Sequence, residues 1–279
     1  MFESQREQHR TAGPDGPAKP VSESDGARHG PSFDEAATDG TKVAANRHTP
    51  RPAKNRLLEA LPRQDREQLL ARSERVELRS ADVLCESEER IRYVFFPTGS
   101  LISLLTCADA NARLEVGLVG DEGMLGTSLL LGVNVSPQRA LVQRAGTAWR
   151  IRAAPFSREL ERSVVLRREL GRYLYVVQRQ LARTAVCTHF HGVGARLARW
   201  LLTTADRVHS DEFYITQGFI SSMLGVRRAG VNRAAGLLQE RELIRYSRGH
   251  LSILDRRGLQ TAACECYAAA KETYARIFG

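Results

Sequence analysis

The 279-residue sequence predicts an α+β chain: an antiparallel β-roll of the jelly-roll or double-stranded β-helix kind, a long dimerisation helix and a C-terminal winged helix-turn-helix. Three observations carry this expectation. Short β-prone runs separated by turn residues crowd the stretch from about 75 to 155. Apolar residues then step by three and four from Leu166 to Thr188. A pattern of helix, glycine turn, helix and basic hairpin follows between Thr216 and Leu254.

Residues 1–53 hold six of the ten prolines and five glycines, with almost no clustered large apolar residues. Such a segment cannot bury enough surface to offset its ordering entropy, so a disordered tail is expected. Order is expected from Lys54, where Leu57, Leu58, Leu61, Leu69 and Leu70 recur at near-helical spacing around Pro62. The roll is placed within 54–162. Its strands are expected around Val76–Leu78, Asp82–Leu84, Tyr93–Phe96, Leu101–Leu105, Leu114–Val116 and Trp149–Ile151, with Pro97-Thr98-Gly99-Ser100 as the clearest turn.

The long helix is placed at 163–191. Leu166, Leu170, Leu174, Val177, Leu181, Thr184 and Thr188 form a narrow stripe, while Arg167, Arg168, Arg172, Gln178, Arg179 and Arg183 occupy the other faces. A seam of this length favours a homodimer; the competing reading is an ordinary helix packed on the roll. Gly192 and Gly194 are expected to mark a hinge before the last domain, 192–279. Trp200, Leu197, Leu201 and Leu202 are its expected core, with Tyr267 and Tyr274 on the buried side of the last helix.

Within that domain Ile220 and Leu224 lie one turn apart on a first helix, and Ser221 is small where a second helix must cross. Gly225 suits a left-handed turn, and Val231, Ala234 and Leu238 make the buried stripe of a second helix from about Arg227 to Glu240. Arg227, Arg228, Asn232 and Arg233 occupy the opposite face near its N-terminus, the part that enters the major groove in such motifs. Arginine can pair with guanine O6 and N7 and asparagine with adenine N6 and N7. Arg228 and Arg233 are therefore expected to read bases, with Arg227 and Asn232 on phosphates or bases. The hairpin Leu243–Leu254 carries Arg248 at its tip for phosphate contact, and Thr216 opens the motif. The window 216–254 holds six Arg against Glu240 and Glu242, a local balance of +4.

Composition agrees without deciding. The net charge is +9, and 37 of the 41 basic residues are arginine because only positions 19, 42, 54 and 271 are lysine. That balance favours a polyanion such as double-stranded DNA. No apolar run approaches a membrane span, no signal-like segment opens the chain, and the five cysteines are too few and too scattered for a disulfide scaffold, so a cytoplasmic protein with free thiols is expected. No nucleophile–base pair, Walker loop or usual metal-ligand spacing is present, so neither catalytic nor metal residues are assigned. Asp121-Glu122-Gly123 reads as a turn. Cys264-Glu265-Cys266 reads as structural, because residues two apart on a helix point to different faces; His189 and His191 are read the same way, with haem ligation kept open.

With these residues in hand, the chain from about residue 55 resembles the Crp/Fnr family of regulators. The matching stretches are YVFFPTGSLISLL, LEVGLVGDEGMLG, GARLARWLL, MLGVRR and IRYSRGHLSILD. The resemblance implies a sensor roll that repositions paired recognition helices on a two-fold symmetric site, and Arg228 and Arg233 fall on family recognition-helix positions. Cyclic-nucleotide-binding relatives place a glutamate after a roll glycine, then an arginine followed by a small residue, and hydroxyls from the long helix. Here Gly126-Thr127 lacks the glutamate, Arg139-Ala140 can still supply the phosphate arginine, and the long-helix positions are Leu181 and Ala182. Gly126, Thr127 and Ser128 could aim backbone amides at an anion. Two of three contacts are missing, which argues against cAMP, and no cysteine cluster precedes Cys85 to hold the iron–sulfur centre of other members. Cofactor and effector thus stay unknown. The expected partners are DNA, a second copy of the chain, RNA polymerase and a small-molecule effector. Two alternatives remain: a nucleotide-like receptor module in which DNA contact is secondary, and a regulator controlled by its abundance or by thiol oxidation at Cys264 or Cys266.

Overall fold

Before the first strand, the Asn55 side chain ties the first helix to the roll. Its Oδ1 accepts from the Leu58 amide and caps α1 (Arg56–Glu59), while its Nδ2 donates to the Pro97 and Gly123 carbonyls at 2.9 Å each. A computed structural model describes residues 54–107 and 113–279; the expected tail over 1–53 lies outside the described residues. After α1 come α2 (Arg63–Ala71), β1 (Glu74–Leu78), β2 (Val83–Cys85), β3 (Tyr93–Pro97), β4 (Leu101–Cys107) and β5 (Arg113–Val119). A 3₁₀ turn over Thr127–Leu131, β6 (Arg139–Arg144), β7 (Gly146–Arg152) and α3 (Ala153–Arg162) complete this part.

The strands form two antiparallel sheets, in the orders β1-β7-β3 and β2-β6-β4-β5. Leu78, Phe95 and Ala148 from the first meet Ile102, Val119, Ala140 and Val142 from the second in one apolar layer, the arrangement of a roll. The α+β class with an N-terminal antiparallel roll and a C-terminal winged helix-turn-helix is what the structure shows. The outer face of the first sheet is covered by Leu57, Leu58 and Leu69 from α1 and α2 and by Phe156 and Leu160 from α3.

The long helix α4 runs over Val164–Phe190, and the Ser163 hydroxyl caps it by accepting from the Leu166 amide. Leu166, Leu170, Tyr173 and Val176 are buried within their own chain, and Val177 packs on the same roll cluster. Much of the stripe expected to meet a second chain is therefore covered inside one molecule, because the roll offers it a complementary apolar face. The apolar residues of α4 left in solvent include Tyr175, Ala182, Val186 and Phe190.

Gly192 caps α5 (Val193–Val208) in an extended conformation, and Gly194 lies inside the first turn of that helix. Then come β8 (Glu212–Tyr214), α6 (Gln217–Leu224), α7 (Arg228–Glu240), β9 (Ile244–Ser247), β10 (His250–Ile253), α8 (Arg256–Ala262) and α9 (Cys266–Phe278). β8, β10 and β9 form a small antiparallel sheet beside the helices. Trp200, Leu197, Leu201 and Leu202 are buried at its core, as is Tyr267, while Tyr274 is half-buried and donates to the Glu122 carbonyl at 3.1 Å.

This domain rests on the second sheet of the roll. Leu105 and Leu141 join its core, and polar contacts seal the boundary. The turn Asp121-Glu122-Gly123 supplies the buried Glu122, whose Oε1 accepts from Arg207 Nε at 2.6 Å. Trp200 Nε1 donates to Glu115 Oε1 at 2.8 Å, and burial pushes the Glu115 carboxyl up to about 7. No helix among the described residues is long and apolar enough to cross a membrane.

Candidate nucleic-acid interface

The turn between α6 and α7 is set by three residues. Gly225 has φ +62, a left-handed value that costs glycine little, and its amide closes the turn onto the Ser222 carbonyl. The Ser221 hydroxyl donates to the Val226 carbonyl, so the small side chain also ties the helices together. Val231, Ala234, Ala235 and Leu238 are the buried side of α7, packed with Ile220 and Leu224.

The opposite face of α7 carries Asn232 and Arg233 in solvent, with Arg228 at its first position and Arg227 as its N-cap residue. The guanidinium of Arg228 lies over Gly218 at the start of α6, where a Cβ would stand 2.9 Å from Nη2. This role for Gly218 is not legible from its neighbours in sequence, because the requirement comes from a side chain ten positions further on. Thr216 is half-buried and spends its hydroxyl on a cap, accepting from the Phe219 amide at 3.2 Å.

The hairpin tip is Arg248-Gly249, with φ +49 and +85, the pair of positive values that a tight two-residue hairpin requires. Arg248 is exposed there, and the strand positions are locked by the Tyr246 hydroxyl donating to the Ile215 carbonyl at 2.7 Å. Among the described residues none of Arg227, Arg228, Arg233 and Arg248 is paired with a carboxylate. Arg245 is exposed on β9 and adds to the same basic side. Four unneutralised guanidinium groups, the N-terminus of a thirteen-residue helix and a basic hairpin tip thus form a surface suited to a phosphate backbone and a groove.

A separate cleft opens between the roll and α4. Gly126, Thr127, Ser128 and Leu181 line it, together with Tyr173, Val177 and Gln180, so these elements bring four of the six effector candidates together. Gly126 takes φ +101 with Val94 close behind it. Arg139 and Ala140 do not line this cleft: Ala140 is fully buried in β6, and Arg139 Nε lies 3.4 Å from Glu86 Oε1.

The family model described as the Crp-like helix-turn-helix domain matches residues 195–262. No curated protein sequence matches the chain. Among solved structures the fold is similar to that described as a Crp/Fnr-family regulator from Eubacterium rectale, at TM-score 0.60 and 15% identity, over 74% of this chain and 96% of that one. FixK2 from Bradyrhizobium japonicum aligns at TM-score 0.60 and 13% identity, over 69% and 98%. The c-di-GMP responsive regulator CLP from Xanthomonas campestris aligns at 0.58 and 14%, over 69% and 99%. At these identities the likeness establishes the fold.

Proposed function

We propose that this chain, a DNA-binding transcription regulator of the Crp/Fnr type, acts as a homodimer that sets two recognition helices α7 on a two-fold symmetric operator. The observation that carries the reading is the exposed face of α7 together with the hairpin tip: Arg227, Arg228, Asn232, Arg233 and Arg248 stand in solvent around one glycine-turned helix pair. Arg228 and Arg233 read bases; Arg227 and Arg248 hold phosphates; Thr216 positions the start of α6 through its cap. Two-fold geometry sets half-site centres about one helical turn apart, roughly 10 base pairs. RNA polymerase is the further partner of such a regulator.

Support for the dimer comes from α4, where Tyr175, Ala182, Val186 and Phe190 fall within one helical face, interrupted by Arg179. The effector site of this reading is the cleft at Gly126, Thr127, Ser128 and Leu181. An anion reaching Arg139 and Ala140 would have to displace Glu86 from the arginine.

The test is selection of bound fragments from a random DNA pool at fixed, near-physiological salt, with the wild type and an Arg228→Ala, Arg233→Ala double variant. An inverted repeat is expected from the wild type, and its sequence preference is expected to disappear in the variant. Arg228→Ala alone should cost about 1–3 kcal/mol at one base pair per half-site. An unchanged motif in the double variant would show that α7 does not read the DNA.

A further inference from the structure

The expectation for Cys264-Glu265-Cys266 assumed that both cysteines lie on one helix. They do not. Cys264 lies in the connection after α8, and Cys266 is the first residue of α9, so their side chains are free of the helical 200° offset and turn to the same place. Two more donors wait there. Cys187 lies in the last turn of α4, and His191, four residues on, caps that helix with its amide on the Cys187 carbonyl. Cys187 Sγ is 3.5 Å from Cys264 Sγ, Cys266 Sγ is 3.7 Å from His191 Nδ1, and all four donor atoms lie within 4.8 Å of one another.

We propose that Cys187, His191, Cys264 and Cys266 form a closed Cys₃His site for one divalent cation of the zinc class, which clamps the end of α4 to the C-terminal helices of the winged domain. The spacing suits a single ion. Zinc binds thiolate at about 2.3 Å and imidazole at about 2.0–2.1 Å, so tetrahedral donors stand about 3.8 Å apart for sulfur pairs and about 3.5 Å for sulfur and nitrogen. An iron–sulfur cluster places its own irons and sulfides between the thiolates and needs them further apart. Buried cysteines often serve only as small apolar side chains, but that role calls for neither an imidazole nitrogen at ligand distance nor a cation beside the thiols. Here Arg199 and Cys266 line one cleft, and Arg199 Nε is buried without a hydrogen-bond partner among the described residues. Three thiolates, one neutral imidazole and Zn²⁺ sum to a charge of −1, which that guanidinium balances from the outer shell.

The site joins two elements 77 residues apart in sequence. On the DNA-binding reading above, removing the ion loosens the winged domain on α4 and alters operator affinity; the existence of the site is tested without DNA. Full-length protein purified under reducing conditions is to be assayed for metal by mass spectrometry, then stripped and titrated with Co²⁺. One equivalent per chain is expected, with the intense charge-transfer absorption of cobalt thiolates and an X-ray absorption shell of three sulfurs and one nitrogen. The Cys187→Ser, Cys264→Ser double variant should lose both, Arg199→Ala should bind roughly 10–100-fold more weakly, and Cys85→Ser on β2 should be unchanged. Because the Co²⁺ titration reads the wild type, misfolding of a variant leaves the test intact. Reduced wild type that takes up no cobalt, or that is found with a Cys187–Cys264 disulfide and no metal, overturns the proposal; so does full metal retention in the double variant. Loss of DNA binding with metal still bound would instead count against the DNA-binding reading.

Discussion

At the scale of single residues, the boundary between the roll and the winged domain depends on two buried carboxylates with opposite fates. Glu122 is paired with Arg207 at 2.6 Å, and the surrounding carboxylate charge raises the Arg207 pKa despite its burial. Removing one partner strands the other charge, so Arg207→Ala should destabilise the fold by about 3–5 kcal/mol, read as a lower midpoint in urea at unchanged slope. A loss below about 1 kcal/mol would mean that water reaches the pair. Trp200 donates to Glu115 Oε1, but desolvation by burial dominates and pushes the carboxyl up to about 7 from an ordinary 4.5. The native state therefore keeps a proton that the unfolded chain has lost. Stability from this group is full below about 4.5 and falls as pH rises to about 7, by up to ~3 kcal/mol. Glu115→Gln cannot titrate. Its melting temperature should gain on the wild type between about pH 5 and pH 8; parallel curves would show Glu115 ionised throughout.

At the scale of elements, glycine decides whether the wing keeps its shape. Gly249 has φ +85, and a Cβ there would stand 2.5 Å from the Tyr214 ring. Gly249→Ala should therefore cost at least about 1–2 kcal/mol and weaken DNA binding by shifting Arg248; equal melting and equal affinity would remove Arg248 from the interface. The α6–glycine–α7 pair and this hairpin were legible because their signals are local: helical spacing, a turn glycine and a two-residue tip. Other elements were not. β6 offers only Ala140, Leu141 and Val142 as an apolar run between polar ends, too short to distinguish from a loop, and β8 is three residues long. In α3, Pro155 lies in the first turn, where its missing amide has no intrahelical acceptor to lose. The stripe on α4 was legible as a helix but not as to its partner, since periodicity reports a buried face without saying which surface buries it. The cysteine site was hidden for the same reason. Cys187-x₃-His191 and Cys264-x-Cys266 each look incidental until the fold joins them.

At the scale of the whole molecule, the proposed dimer would tie the exposed α4 face to the strength and salt dependence of DNA binding. Each protein–phosphate contact releases condensed counterions, so the logarithm of the binding constant falls with the logarithm of salt by about 0.9 per phosphate neutralised. In the proposed dimer, two copies of Arg227, Arg248 and the α7 N-terminus on adjacent half-sites would double that number. Replacing Val186 and Phe190, 43% and 73% exposed, by glutamate places four carboxylates in any two-fold contact along this face while leaving the roll core and α7 untouched. The variant should sediment as a single 31.0 kDa chain where the wild type sediments at twice that mass. On the same duplex it should bind more weakly, with about half the salt slope, because half-sites are then occupied independently. A variant with undiminished mass and slope would place the dimer contact elsewhere. Monomeric mass with an undiminished slope would mean that one chain already makes every phosphate contact, and the two-fold operator would have to be abandoned.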